Sequence, residues 1–134
     1  MGEHVVNPPF YVDTGDRARD ILGTINSPHL RLAFDPANFI RAQVLPMTDA
    51  YPLVKDYISY IHMKDARINT GEVVPPGEGD GEIRKLLAAL KEKNYSGVIS
   101  IEPKGRPGIA DPDFFIIAAK ALKRLLREAG ISWK

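Results

Sequence analysis

The sequence contains no cysteine among its 134 residues. Disulfides, thiolate metal sites and thiol nucleophiles are therefore excluded, and any metal would be held by carboxylate and imidazole groups. The apolar stretches are too short to cross a bilayer, and the start Met-Gly-Glu-His has neither the charged nor the hydrophobic region of a signal peptide. We therefore expect no membrane association and a cytoplasmic location.

An excess of charge of one sign is also missing. The 18 basic and 17 acidic residues nearly cancel, and neither sign forms a long run. A protein that binds the phosphate backbone usually presents a basic patch, so we expect no nucleic-acid partner. The chain is also short, and its length suits one hydrophobic core in a single domain, residues 1–134.

Apolar periodicity predicts helices that alternate with short strands. The predicted helices are 13–25 (capped by Asp13 or Thr14), 50–57, one starting at Ile83, and a last one from Asp111 to Gly130 with Phe115 facing inward. The predicted strands are 30–34, 58–62 and 98–101, and residues 71–81 form a Gly/Pro loop. Strands that alternate with helices predict an α/β fold with a parallel sheet.

Each predicted strand ends at a side chain that can bind a metal: Asp35, His62 and Glu102. The carboxyl ends of parallel strands meet on one face of the sheet, so we expect these residues to lie together. Carboxylates with one imidazole suit a divalent ion, Mn²⁺, Mg²⁺, Co²⁺ or Zn²⁺, and the ligand types do not choose among them. Taken singly, each residue has a structural alternative, as a turn opener, a loop cap or a solvated strand exit.

Four segments resemble the sugar phosphate isomerase/epimerase family, the xylose isomerase-like TIM barrels. They are Phe34-Asp35-Pro36-Ala37-Asn38-Phe39, His62-Met63-Lys64-Asp65, Pro75-Pro76-Gly77-Glu78-Gly79-Asp80 and residues 95–103, Tyr-Ser-Gly-Val-Ile-Ser-Ile-Glu-Pro. The resemblance runs from about Glu3 to Glu128 and implies a partial TIM-type barrel, the last three to four βα units. A complete (β/α)8 barrel takes roughly 250 residues, so this is the C-terminal half.

The resemblance also implies a ligand set and a reaction. Asp35, His62 and Glu102 match the family's metal ligands after the sixth, seventh and eighth strands, and Glu3 is the candidate for the ligand after the fifth. The implied reaction is isomerisation or epimerisation of a sugar or sugar phosphate through an enediolate, with the metal chelating the substrate oxygens. Glu3 and Glu102 would be the catalytic pair that takes and returns the proton, and which is acid and which is base stays open.

Four further residues are candidates for substrate binding: Asn38, Lys64, Asp65 and Arg67. Lys64 and Arg67 follow His62 on one loop, where they would bind substrate hydroxyls or a phosphate. The alternative is that they are ordinary solvated cations, which we favour for Arg67. Asp65 is alternatively a carboxylate that orients a metal ligand.

Three other functions are alternatives to an isomerase or epimerase. A dehydratase of the same superfamily needs the same apparatus, and the sequence does not separate it from an isomerase. A phosphodiester hydrolase of the endonuclease IV type normally has several histidines in a multi-metal site, and only one is well placed here. The third is a catalytically incomplete half-barrel, which would need a complementing N-terminal half-barrel or self-association into a homo-oligomer because its sheet has open edges.

Overall fold

The structure is a computed structural model that describes residues 12–102 and 111–134. Its centre is a three-stranded parallel sheet with the order β1, β2, β5. These strands are β1, Leu32–Phe34, β2, Ile58–Met63, and β5, Val98–Ile101. The predicted α/β fold with a parallel sheet is therefore confirmed.

The register of the strands brings the predicted site residues to one edge of the sheet. Phe34 lies opposite Ile61, and His62 lies opposite Ser100. Asp35 and Glu102 are the first residues after β1 and β5. Because all three strands run in the same direction, the residues at their carboxyl ends share one edge of the sheet.

Helices cover the outer face of the sheet. They are α1, Gly15–Ile25, α2, Pro36–Arg41, α3, Tyr51–Val54, α4, Ile83–Glu92, and α5, Asp111–Glu128. Side chains pointing outward from β1 and β2, such as Phe34, Ile61 and Met63, are buried against helical residues that recur at helical spacing. The helical part of this core includes Ala18, Val54, Ile83, Leu86, Leu87, Leu90, Leu122, Leu125 and Leu126.

The helix ends follow the predicted signals closely. Thr14 is the N-cap of α1, and its side chain accepts a hydrogen bond from the backbone N–H of Arg17. Asn26 ends that helix in the left-handed region at φ 45°. Gly130, just beyond α5, has φ 65°, a backbone angle that a glycine adopts without steric penalty.

Four sequence predictions need correction. The loop 71–81 contains a strand, β4, Val73–Val74, which pairs antiparallel with β3, Asp65–Ala66. The predicted helix 50–57 is a π-helical turn, Pro46–Ala50, followed by the short α3. Strand β2 continues to Met63, one residue beyond His62.

The fourth correction concerns α5. Phe114 is 1% exposed, whereas Phe115, predicted to face inward, is 44% exposed. Two adjacent phenylalanines fit a helical pattern in two phases, and packing selects the one that faces the core. Among the described helices, none has the length and apolar character needed to cross a membrane.

Candidate metal centre

One carboxylate oxygen of Asp35 caps a helix, and the other faces the candidate metal centre. It is the N-cap of α2, and its Oδ1 accepts a hydrogen bond from the backbone N–H of Asn38 at 3.1 Å. Pro36 at the first helical position suits this cap because it has no N–H to satisfy. The second oxygen, Oδ2, is buried and accepts no hydrogen bond from the described residues. A buried acceptor left without a hydrogen bond is costly, so this oxygen suits a cation.

His62 and Glu102 converge on the same oxygen. His62 Nδ1 lies 3.8 Å from Asp35 Oδ2 and 3.6 Å from Glu102 Oε2. One potential ligand atom from each of the three residues lies within 4.8 Å of the other two. The donor set, with Asp35 Oδ2 buried and without a hydrogen bond from the described residues, therefore fits a divalent metal ion.

Lys64 adds a positive charge to this cluster. Its Nζ is 3.4 Å from Glu102 Oε2, 3.6 Å from Asp35 Oδ2 and 3.4 Å from Asn38 Oδ1. Burial raises the pKa of Asp35, while the Lys64 ammonium acts in the opposite direction. Lys64 lies two residues after His62, and alternate residues along an extended chain point to the same face of the sheet.

Asn38 joins the cluster from the first turn of α2. Its side-chain Oδ1 accepts a hydrogen bond from Lys64 Nζ, and its backbone N–H donates one to Asp35 Oδ1. Asn38 itself is exposed, so its amide is accessible to solvent at the edge of the site. The structure thus brings together five of the predicted residues: Asp35, Asn38, His62, Lys64 and Glu102.

Asp65 faces away from this cluster into the loop that follows. Its Oδ1 accepts hydrogen bonds from the backbone N–H groups of Ala66 and Gly81, and its Oδ2 accepts from those of Gly77 and Gly79, all at 2.8–3.0 Å. The side chain is fully buried, and burial raises the pKa of Asp65 although the four N–H groups favour the carboxylate. Asp65 therefore organises the loop through both carboxylate oxygens, and its roles in substrate binding and in orienting a metal ligand stay predictions.

Arg67 pairs with Glu72 rather than with the cluster. The Arg67 side chain is 53% exposed, and its Nε lies 3.8 Å from Glu72 Oε2 across the hairpin of β3 and β4, as expected of a solvated cation. Glu3 lies outside the described residues, so its roles as a fourth ligand and as a catalytic residue stay predictions.

Sequence reasoning missed one residue beside the cluster, Tyr60, and one outside it, Glu82. Tyr60 packs edge-on against the His62 imidazole, with ring centroids 5.4 Å apart. Its position two residues before His62 on the same strand was the available signal. Glu82 accepts hydrogen bonds from the N–H groups of Met47 and Thr48, which ties α4 to the π-helical turn. No local pattern predicts these hydrogen bonds, because Thr48 and Met47 lie 34 and 35 residues before Glu82 in the sequence.

Comparison with known proteins identifies the family of the chain. A family profile described as the xylose isomerase-like TIM barrel matches residues 3–131. The chain belongs to this family. The partial barrel and its parallel sheet are those of the family's fold, as the resemblance implied.

Individual relatives include an epimerase, dehydratases and an isomerase. A 2-epi-5-epi-valiolone 7-phosphate 2-epimerase of an Actinoplanes species is 35% identical over 56% of this chain and 28% of its own. An inosose dehydratase of Clostridium perfringens is 27% identical over 56% of this chain and 32% of its own. An inosose isomerase of Bacillus licheniformis is 25% identical over 96% of this chain and 46% of its own.

One solved structure shares the arrangement over most of the chain. A xylose isomerase domain protein from Planctomyces limnophilus matches with a TM-score of 0.68 and 28% identity, covering 87% of this chain and 43% of that one. The chain spans less than half the length of each of these relatives.

Proposed function

We propose that this chain carries the metal centre of an isomerase or epimerase that moves a proton next to the carbonyl of a sugar-like substrate, phosphorylated or free. The observation that carries the proposal is the convergence of Asp35, His62 and Glu102 on one point, with Asp35 Oδ2 buried and without a hydrogen bond from the described residues. The epimerase and the isomerase among the relatives support the reaction class.

Asp35, His62 and Glu102 would hold the ion, and a bound divalent ion would polarise the substrate carbonyl and so acidify the neighbouring C–H. Glu102 is 30% exposed at the mouth of the cluster, where its carboxylate would accept or deliver the proton. Epimerisation needs a second group on the opposite face of the substrate, and Glu3 is the candidate for it. Lys64 and Asn38 would orient the substrate oxygens by hydrogen bonds.

The first test is metal binding, measured by titration calorimetry with Mn²⁺ and Co²⁺. Asp35→Asn keeps an N-cap, since asparagine caps helices as well as aspartate does, but loses the ligand charge. We expect this variant and His62→Gln to bind metal at least about 100-fold more weakly, more than is usual for a change behind the ligands.

Asp56→Asn is the matched control, because it removes one carboxylate that is 81% exposed, on the loop before β2. Its metal affinity should equal that of the wild-type chain. Equal affinity in Asp35→Asn, His62→Gln and wild type would refute the proposed centre.

A dehydratase of the same superfamily is the second candidate, and several inosose dehydratases among the relatives favour it. Both reactions begin with removal of the proton next to the carbonyl, so both exchange that hydrogen with deuterated water. Only the dehydratase goes on to lose water and form an unsaturated ketone. Proton NMR of an inosose or ketose incubated in deuterated buffer with the metal-loaded chain would separate them by product.

A third candidate is a half-barrel that binds metal but turns over substrate only with a partner. Among the described residues, β1 and β5 each have one neighbouring strand, and this supports the third candidate. In that case this chain alone would not exchange the substrate hydrogen for deuterium. Exchange would begin when a polypeptide covering the first half of a family barrel is added.

A further inference from the structure

The ammonium group of Lys64 is buried inside the proposed metal centre. The side chain is 2% exposed, and lysine is among the residues least often found fully buried without a partner. Its partners are Asp35 Oδ2, Glu102 Oε2 and Asn38 Oδ1, at 3.4–3.6 Å. The position directly after β2 fixes it there, because β2 packs between β1 and β5.

Lys64 lies close to the same carboxylate oxygens that a metal ion would bind. Asp35 Oδ2 and Glu102 Oε2 are the oxygens that face His62 Nδ1, and they are also the oxygens nearest to Lys64 Nζ. A divalent ion bound there would share its carboxylates with a cation of like charge. Repulsion between charges a few ångströms apart is strong at a site shielded from water.

We infer that Lys64 is a built-in counter-ion that competes with the divalent ion for Asp35 and Glu102, and so sets a weaker metal affinity than the three ligands alone would give. The inference rests on the proposed metal centre. Before metal arrives, the ammonium holds the two carboxylates together against their mutual repulsion. When the metal binds, the ammonium is released from them and becomes available to a substrate oxygen.

The test compares metal affinities in calorimetric titrations at about pH 8, well above the ordinary carboxylic acid pKa. Lys64→Met preserves the length and most of the volume of the side chain but removes its charge. We expect it to bind Mn²⁺ about tenfold more tightly than wild type, because the competing cation is gone. Lys64→Arg keeps the charge and should stay within about threefold of wild type.

Lys93→Met is the matched control, since it removes the same charge from an exposed site, where Lys93 pairs with Asp56. Its affinity should not change. Equal or weaker metal binding by Lys64→Met than by wild type would overturn the inference, and a merely structural role of Lys64 predicts that weaker binding. If wild type itself binds no metal, the proposed metal centre fails instead.

A measurement on the unaltered chain covers the case in which Lys64→Met does not fold. Lysines are labelled with acetic anhydride with and without saturating Mn²⁺, and the labelled positions are quantified by mass spectrometry. Metal should raise the labelling of Lys64 several-fold and leave that of Lys93 unchanged. Lys64 labelling that does not respond to saturating metal would contradict the competition.

Discussion

At the scale of single residues, Asp65 organises the loop that follows the candidate metal centre. Its buried carboxylate accepts hydrogen bonds from four backbone N–H groups, that of Ala66 in β3 and those of Gly77, Gly79 and Gly81 before α4. The loop approaches so closely that a Cβ at Gly79 would lie 2.5 Å from the Ala66 carbonyl oxygen and from Asp65 Oδ1. Glycine is required there because the backbone itself wraps the carboxylate.

We therefore expect Asp65→Asn to be strongly destabilising. The amide has one acceptor oxygen where the carboxylate has two, and its NH₂ group would face N–H donors. Leaving buried donors unsatisfied costs about 1–3 kcal/mol each, so the free energy of unfolding should fall by at least about 3 kcal/mol. Urea denaturation followed by circular dichroism measures the difference.

Asp80→Asn offers a control in the same loop. Asp80 is exposed and accepts one hydrogen bond, from the backbone N–H of Ile68. Its replacement should change the free energy of unfolding by less than about 1 kcal/mol. If both variants showed the same small loss, the buried carboxylate would not be the centre of the loop.

At the scale of elements, Glu82 links α4 to the π-helical turn at Pro46–Ala50. It precedes α4 in the left-handed region, at φ 52°, which is unusual for a residue other than glycine. Its side chain accepts hydrogen bonds from Met47 N, Thr48 N, Thr48 Oγ1 and Lys85 Nζ. Burial acts to raise the pKa of Glu82, but the hydrogen bonds from Lys85 and Thr48 outweigh it and lower the pKa below its usual value.

This lowered pKa sets the sign of a pH dependence. The ionised carboxylate stabilises the fold at pH values above the unfolded pKa, about 4.3, and that contribution is lost as the pH falls through the lower, folded pKa. Glu82→Gln should reduce the free energy of unfolding by about 1–3 kcal/mol at pH 7. The gap between variant and wild type should narrow as the pH falls through the folded pKa.

Urea titrations at neutral and acidic pH check both parts of this expectation. Glu92→Gln, an exposed change near the other end of α4, should show neither effect. A gap between Glu82→Gln and wild type that is constant with pH would show that the charge of Glu82 contributes nothing.

The sequence predicts the elements that repeat a pattern and misses those that do not. The helices α1, α4 and α5 and the strands β1, β2 and β5 lie close to their predicted positions, since each carries several apolar residues at regular spacing. Strands β3 and β4 have two residues each, too few for any periodicity. The π-helical turn is held in part by the distant Glu82, which no local pattern includes.

The same distinction applies to the site. Asp35, His62 and Glu102 were predictable because strand ends place them. Asp65 was not, because the sequence indicates a carboxylate beside a glycine loop but not that all four N–H groups point at it. The central position of Lys64 follows from strand alternation only once His62 is known to face the site.

At the scale of the whole molecule, the described part of the sheet has two edge strands, β1 and β5. Within the described residues, β1 and β5 each have one neighbouring strand. Val98 on β5 is 56% exposed, and Phe115 and Ile116 on α5 are 44% and 51% exposed. A free parallel edge beside apolar side chains favours association with another chain.

We expect the purified chain to self-associate at micromolar concentration when no complementing half is present. Sedimentation velocity over a range of concentrations should give masses above the 14.8 kDa of one chain. Val98→Lys should shift the chain toward the monomer, since a charge on an edge strand blocks pairing.

Ile25→Glu serves as the comparison, because Ile25 is as exposed as Val98 but ends the helix α1 instead of lying on a strand. It should leave association unchanged. A wild-type chain that stays monomeric at every concentration would remove self-association as the way in which the open edges are covered.

The separation of Asp65 from the proposed metal ligands also bears on how related sequences diverge. Asp65 and the glycines at positions 77, 79 and 81 form one set of mutually dependent residues, and Asp35, His62, Lys64 and Glu102 form another. A descendant that abandons catalysis is free to lose the second set while it keeps the first, because the first maintains the fold. A homologue that keeps only the first set is therefore expected to be an inactive scaffold, and one that keeps both sets is expected to be an enzyme.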